Sequence, residues 1–207
     1  MNVKFLELPE EKRTAIINAG FEVFAKNEYK RASTDLIAEK SGISKGLLFY
    51  YFHNKKEFYL FLYDYATKKI REHVITGHFS EITDFFELCS YSAERKFQLL
   101  QANPYIMEFN LRAFYSQKED ITADVEKHVQ NITASLLASY FKNVDFTKFK
   151  ASVDPEEILQ MLAWVADGYL HERQRLGAAI DYVKLREQYR IWTDLFRQIA
   201  YKEEYLK

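Results

Sequence analysis

The chain has 207 residues, a formal net charge of −1, 48% hydrophobic and 16% aromatic residues, and only six glycines and three prolines. Scarce breakers with abundant Leu, Ile, Phe, Glu and Lys favour an all-helical protein over one of many strands and turns, and the length allows one large or two small domains. Near-neutral charge argues against a general nucleic-acid coat. No stretch approaches the ~18–20 apolar residues that span a bilayer, so no membrane association is expected. A single cysteine, Cys89, excludes an internal disulfide framework and suits a reducing compartment. The first residues, Met-Asn-Val-Lys-Phe-Leu-Glu, carry acid early and lack a long apolar core, so no signal peptide is expected and the localisation reads as cytoplasmic.

From Glu10 to Lys26, apolar Ile16, Ala19, Val23 and Phe24 recur at three- and four-residue steps, which predicts an amphipathic helix with Pro9 at its start. After a polar connection, Ser33-Thr34-Asp35 supplies capping oxygens and a carboxylate for a short second helix, with Leu36, Ile37 and Ala38 expected to face inward. Gly42 suits the left-handed conformation that ends a helix, Ser44 suits the cap of the next, and Ile43 between them plugs the angle. Two short helices joined by a glycine-containing turn form a helix-turn-helix. The second should run from Lys45 to Phe52 and stop near His53-Asn54. A longer helix is expected from Lys55 to about Val74, and further helices near 80–102, 104–115, 119–142, 155–176 and 182–205. Pro104, the segment 143–153 and Gly177 mark breaks.

Charge is unevenly spread. Between Lys26 and Lys56 stand seven basic residues (Lys26, Lys30, Arg31, Lys40, Lys45, Lys55, Lys56) against three acids (Glu28, Asp35, Glu39). A small basic island in a neutral chain is what a compact DNA-contacting surface looks like. A recognition helix presents its N-terminal end to a major groove about 12 Å wide. Lys45 and Gly46 stand there: the lysine brings charge and the glycine lets the backbone approach a base or phosphate. Leu48 and Phe52 share one face and read as core, with Phe49 beside them. Leu47, Tyr50 and Tyr51 fall elsewhere and can meet DNA, Leu47 through a thymine methyl and the tyrosines through phosphate oxygens. Lys55 opens the next helix, where charge and free N–H groups both favour a phosphate.

These residues carry a family resemblance. Ile16-Ile17-Asn18-Ala19 with Phe24, Ser33-Thr34-Asp35-Leu36-Ile37-Ala38, the run from Ser41 to Phe52 and Lys55-Lys56-Glu57 resemble the tetracycline-repressor (TetR) family over residues 10–60. The resemblance implies an all-α fold, with a helix-turn-helix domain over residues 1–54 and a helical ligand-binding and dimerisation domain over 55–207. It implies phosphate contacts for Ser33, Tyr50, Tyr51 and Lys55, and base-edge or near-base roles for Ser44, Lys45, Gly46 and Leu47. Two positions depart from the family pattern. Phe49 stands where the family usually has Tyr, removing a hydroxyl, and Glu28 stands where it usually has Gly at the close of the first helix.

The resemblance further implies a homodimer in which the last two helices pack against their copies. Ile158, Met161, Leu162, Val165, Ala166 and Tyr169 would serve on one, and Leu185, Tyr189, Trp192, Leu195, Phe196 and Ile199 on the other. A two-fold dimer places its recognition helices about one DNA turn apart (~34–36 Å, or a multiple), so the operator is expected to be a palindrome. It also implies a pocket for a small, mainly apolar effector, for which Phe86, Phe109, Phe114, Met161 and Trp164 are candidates, with Arg112 as a charged anchor. No cofactor or metal is expected: Ser139-x-x-Lys142 lacks companion motifs, His171-Glu172 has Arg175 where a zinc-protease motif needs His, and His73, His78 and His128 have no ligand spacing. The expected function is a ligand-responsive DNA-binding regulator, more often a repressor, and not an enzyme. The alternatives are a helical carrier or enzyme with a vestigial DNA-binding unit, and a DNA-binding assembly factor without an effector.

Overall fold

A computed structural model describes residues 2–115, 121, 140–178 and 180–206. Among these residues the structure is all-α. The helices are α1 (Glu10–Lys26), α2 (Thr34–Lys40), α3 (Lys45–Phe52), α4 (Lys55–Val74), α5 (Phe85–Ala102), α6 (Pro104–Tyr115), α7 (Pro155–Arg175) and α8 (Tyr182–Ala200), with 3-10 turns at Val3–Phe5, His78–Glu81, Phe146–Lys148 and Glu203–Tyr205. The helix expected over 119–142 lies almost wholly outside the described residues. No described helix is long and apolar enough to cross a membrane.

The chain folds as two compact units. One takes the sequence up to Arg71 and resumes at Ala102; the other holds Glu72–Gln101 and the described residues from 140 onward. The first unit is therefore larger than the 1–54 segment expected from the motif. The reason is side-chain packing. Where α1 passes α4, Gly20 has no room for a Cβ, which would fall 2.6 Å from Phe58 Cζ and 2.8 Å from Leu62 Cδ1. Phe109 of α6, fully buried, lies with its ring centroid 5.3 Å from Phe21 and 4.8 Å from Tyr59. The apolar stripe of the first helix thus needs α4 and α6 to cover it, and three short helices alone would leave it wet.

The second unit packs around Phe85, Phe86, Cys89, Phe149 and Tyr201. Burial pushes the Cys89 thiol up to about 12, so it is an inert core residue. Two helix limits differ from the sequence reading. The helix expected from residue 80 starts at Phe85, because Asp84 caps it: Oδ1 accepts the N–H groups of Phe86 and Glu87, each at 3.1 Å. The last helix ends at Ala200 because the chain then runs extended. Tyr201 pairs with Phe149 in an isolated antiparallel bridge, fixed by Lys150 N–H to Ala200 O at 2.9 Å and Lys202 N–H to Lys148 O at 3.0 Å.

Asp84 also receives the Lys148 ammonium at 2.8 Å on Oδ2, with Arg197 4.0 Å away. Burial pushes this carboxyl upward, but the Lys148 and Glu87 hydrogen bonds and the two cations outweigh it and hold it below its usual value. A depressed folded pKa stabilises the fold fully above the unfolded value, near 3.8, and the contribution disappears as pH falls through the folded one. Asp84→Asn should cost about 1–2 kcal/mol at neutral pH. It should also make the loss of stability below about pH 4 less steep. Urea midpoints measured from neutral to acid pH check both; parallel curves for variant and wild type would contradict the expectation.

Candidate nucleic-acid interface

The helix-turn-helix forms by the local chemistry its sequence carries. Ser33 Oγ accepts the Leu36 N–H at 3.3 Å and caps α2, and Ser44 Oγ accepts the Leu47 N–H at 3.1 Å and caps α3. Between them Gly42 adopts φ +68 and its N–H bonds Glu39 O, while Ile43 N–H bonds Ala38 O. Leu48 and Phe52 are fully buried, and Phe49 and Ile43 half-buried. Ile37 and Ala38 are buried as expected, but Leu36 is exposed. In a seven-residue helix Ile37, Ala38 and Ser41 already fill the inward arc, and the residue one step back points about 100° away.

The exposed surface of α3 begins with Lys45, Gly46 and Leu47 and continues at Tyr50, which is 52% exposed. Among the described residues nothing crowds Gly46: a Cβ there would meet only Ser44 Oγ, at 3.9 Å. Packing does not require a glycine here, and its missing side chain leaves the backbone of the first turn open to close approach. Tyr51 differs from the sequence reading. It is only 6% exposed, with its ring 5.7 Å from Phe5, so it packs inward and offers DNA little more than an edge.

Several of the counted cations are engaged. Lys45 Nζ sits 2.9 Å from Asp35 Oδ2, and Arg31 Nε 3.5 Å from Glu28 Oε2. Lys26 and Lys40 both reach Glu22, at 2.7 and 3.1 Å, and hold its carboxyl below the usual range. Glu22 lies just outside the counted segment, so the basic excess is smaller than the linear count implied. Lys55 donates to Lys30 O at 3.3 Å and lies over the Tyr29 ring at 4.7 Å. Glu28 needs no glycine conformation: among the described non-glycine residues only His53 has positive φ. Asn27 instead closes α1 by donating to Val23 O at 2.8 Å.

His53 ends α3 at φ 59, ψ −49, with Asn54 N–H bonded to Phe52 O at 2.6 Å. This is a γ-turn of the strained type, on an exposed residue. Strain of this kind costs about 1–3 kcal/mol, and glycine's extra unfolded entropy about 0.5–1 kcal/mol. His53→Gly should therefore stabilise the chain by about 1 kcal/mol, seen as a higher urea midpoint; a lower midpoint would refute the strain. The sequence reading also missed the N-terminal segment. Asn2 donates to two carbonyls of α3, Tyr51 O through its backbone N–H (2.7 Å) and Tyr50 O through Nδ2 (3.4 Å). Phe5 is buried against Tyr51, Phe52 and Phe61. No local pattern reveals a contact made across 48 residues.

Of the six effector candidates, the five with described side chains do not gather within either unit. Phe109 is core of the first, and Arg112 there spends its Nε–H on Ala25 O at 3.0 Å. Phe86 is core of the second, Met161 packs at the edge of that core, and Trp164 is 64% exposed. The side chain of Phe114 lies outside the described residues. Periodicity identifies an apolar face but not what covers it. Among the described residues no cluster of three His, Cys, Asp or Glu side chains could hold a metal ion.

Residues 16–61 match the family model of bacterial regulatory proteins of the tetR family. No curated protein sequence matches the chain. Several solved structures share its fold. A TetR family transcriptional regulator from Chloroflexus aurantiacus J-10-FL is 20% identical, with 98% of this chain and 99% of that one covered and a TM-score of 0.61. The fatty acid degradation regulator FadR from Bacillus halodurans is 19% identical over 89% of this chain and 97% of its own, with a TM-score of 0.67. SmeT, the repressor of the Stenotrophomonas maltophilia multidrug efflux pump SmeDEF, is 15% identical over 94% of each chain, with a TM-score of 0.65.

Proposed function

We propose, from the premise that the chain is a tetR-family regulator by its N-terminal domain and by its fold, that it is a repressor that binds a palindromic operator as a homodimer and releases it on binding a small, mainly apolar effector. DNA binding itself follows from the family domain. The observation that carries the reading is the first turn of α3, where a capped helix presents Lys45, Gly46 and Leu47 with no internal need for the glycine. That combination suits a helix end entering a major groove: Lys45 for a guanine edge or phosphate, Gly46 for close approach, Leu47 for a thymine methyl, and Tyr50 for the flanking backbone. Ser33, Ser44 and Lys55 stand at helix starts, where hydroxyls, ammonium and N–H groups favour phosphates.

The dimer is supported by apolar side chains left exposed on α7, α8 and their connection. Trp164, Leu176, Val183, Ile191, Leu195 and Ile199 are all exposed, a concentration unusual for a surface with no partner. Effector control is supported by α4, a single helix that begins in the first unit and ends in the second. A ligand with different affinities for two arrangements of such a helix shifts the equilibrium between them, and operator affinity with it. Selecting duplexes from a random library with the purified chain tests the reading. A palindromic consensus is the expected result, and binding that stays weak, salt-sensitive and sequence-blind would defeat it.

A further inference from the structure

An α-helix leaves its last four carbonyls without intrahelical partners, and at a buried or functional end each must find one. The end of α3 can be accounted for completely. Phe49 O accepts the His53 N–H at 2.7 Å and Phe52 O the Asn54 N–H at 2.6 Å, both from the strained turn beyond the helix. Tyr50 O and Tyr51 O accept nothing from that turn; both are taken by Asn2, at 3.4 and 2.7 Å. The role that a left-handed glycine usually fills at a helix end is thus divided between a strained histidine and a residue 48 positions earlier.

The residues just after Asn2 hold it in place. Its Oδ1 accepts the Lys4 N–H at 3.0 Å, opening the 3-10 turn Val3–Phe5. Phe5 then drops its ring between α3 and α4, 4.8 Å from Phe52 and 5.4 Å from Phe61. Leu6 O accepts Arg13 Nη1 at 2.6 Å, which ties the far side of the turn to α1. The segment is a strap fixed at both ends, and it closes on the residues flanking Tyr50.

We infer that Asn2 and Phe5 are positioning residues for DNA reading: they hold the last turn of α3 so that Tyr50 and the exposed face of the helix meet the duplex in one register. This rests on the DNA-reading function proposed above. A helix of eight residues has too few internal hydrogen bonds to stay formed by itself, so its geometry depends on what grips its two ends. Ser44 grips one end and Asn2 the other.

The test uses full-length Asn2→Gly, Phe5→Ala and the conservative Phe5→Leu. It measures operator binding, binding to unrelated duplex, thermal stability, and hydrogen exchange of the α3 amides in the free protein. Phe5→Ala is expected to weaken operator binding by about tenfold well below its melting temperature and leave unrelated duplex bound as before, because loosened register affects base reading more than charge. Exchange at Tyr51 and Phe52 should quicken in Asn2→Gly and Phe5→Ala, and Phe5→Leu should restore most of both losses. Unchanged operator affinity in Phe5→Ala, or operator and unrelated duplex weakened equally in step with the folded fraction, would overturn the inference. A wild-type chain that selects no site would instead defeat the DNA-reading function, and unchanged α3 exchange in the variants would then overturn the strap as well.

Discussion

Replacing Lys45 and Tyr50 together by alanine is expected to weaken operator binding by about a thousandfold or more while leaving the melting temperature within a degree or two. A lysine reading a base edge is worth roughly 1–3 kcal/mol, and a tyrosine hydroxyl on a phosphate about 1 kcal/mol. In a two-fold complex both half-sites lose them at once. The stability side is small because neither residue supports the core. Tyr50 is half exposed, and the Lys45–Asp35 ion pair, 2.9 Å long but open to solvent, is worth about 0–1 kcal/mol. The same pair gives an opposite arm. If Lys45 reads DNA as proposed, Asp35 competes for its ammonium and sets a negative charge beside the duplex, so Asp35→Asn should tighten binding several-fold. Its dependence on log salt should steepen by about one ion per subunit, where Lys45→Ala should flatten it by the same amount. Fluorescence anisotropy with labelled operator at several salt concentrations measures all three variants. If the double variant binds operator as wild type does, α3 is not the reading helix.

The features legible in the sequence are those whose cause is local. Ser33, Gly42 and Ser44 define α2 and α3 because each acts within three residues of itself, and the observed limits of α1, α3 and α4 match the expected ones. Leu36 was misplaced because helical periodicity is weakly determined over seven residues. Features set by distant partners were not legible. Asp35 and Lys45 each read correctly as helix-start residues, but their pairing depends on the angle between two helices. Asn2 and Phe5 precede every periodic segment and gain meaning only when α3 lies beside them. The C-terminal aromatics show the same limit in another form. Phe86, Phe109 and Trp164 look alike as apolar residues on helices, yet two are cores of different units and the third is on the surface. Composition supplies the apolar faces, and tertiary packing decides which is covered by the chain itself.

Leu195→Glu is expected to convert the protein from dimer to monomer and to lower operator affinity by about a hundredfold or more, while the monomer stays folded. Helix α8 carries two apolar faces. Leu185, Thr193 and Ala200 are buried against the rest of their unit, whereas Ile191, Leu195 and Ile199 succeed one another at four-residue steps along an adjoining face and are 49–59% exposed. A single amphipathic helix needs one apolar face, so the second is unexplained by packing among the described residues. On α7, Trp164 is exposed and Gly168 four residues on has open space above it, a knob beside a hollow. A two-fold interface repeats every contact twice, so one glutamate per chain places two carboxylates in the interface and desolvates both. Because Leu195 points away from its own core, the substitution leaves that core intact, and circular dichroism should show undiminished helix. Sedimentation at micromolar concentration reads the oligomer directly. A monomeric variant that still binds a half-site weakly would separate loss of pairing from loss of reading. A wild-type chain that sediments as a monomer, or a variant that remains dimeric, would place the interface elsewhere and leave the Ile191–Leu195–Ile199 stripe to another partner.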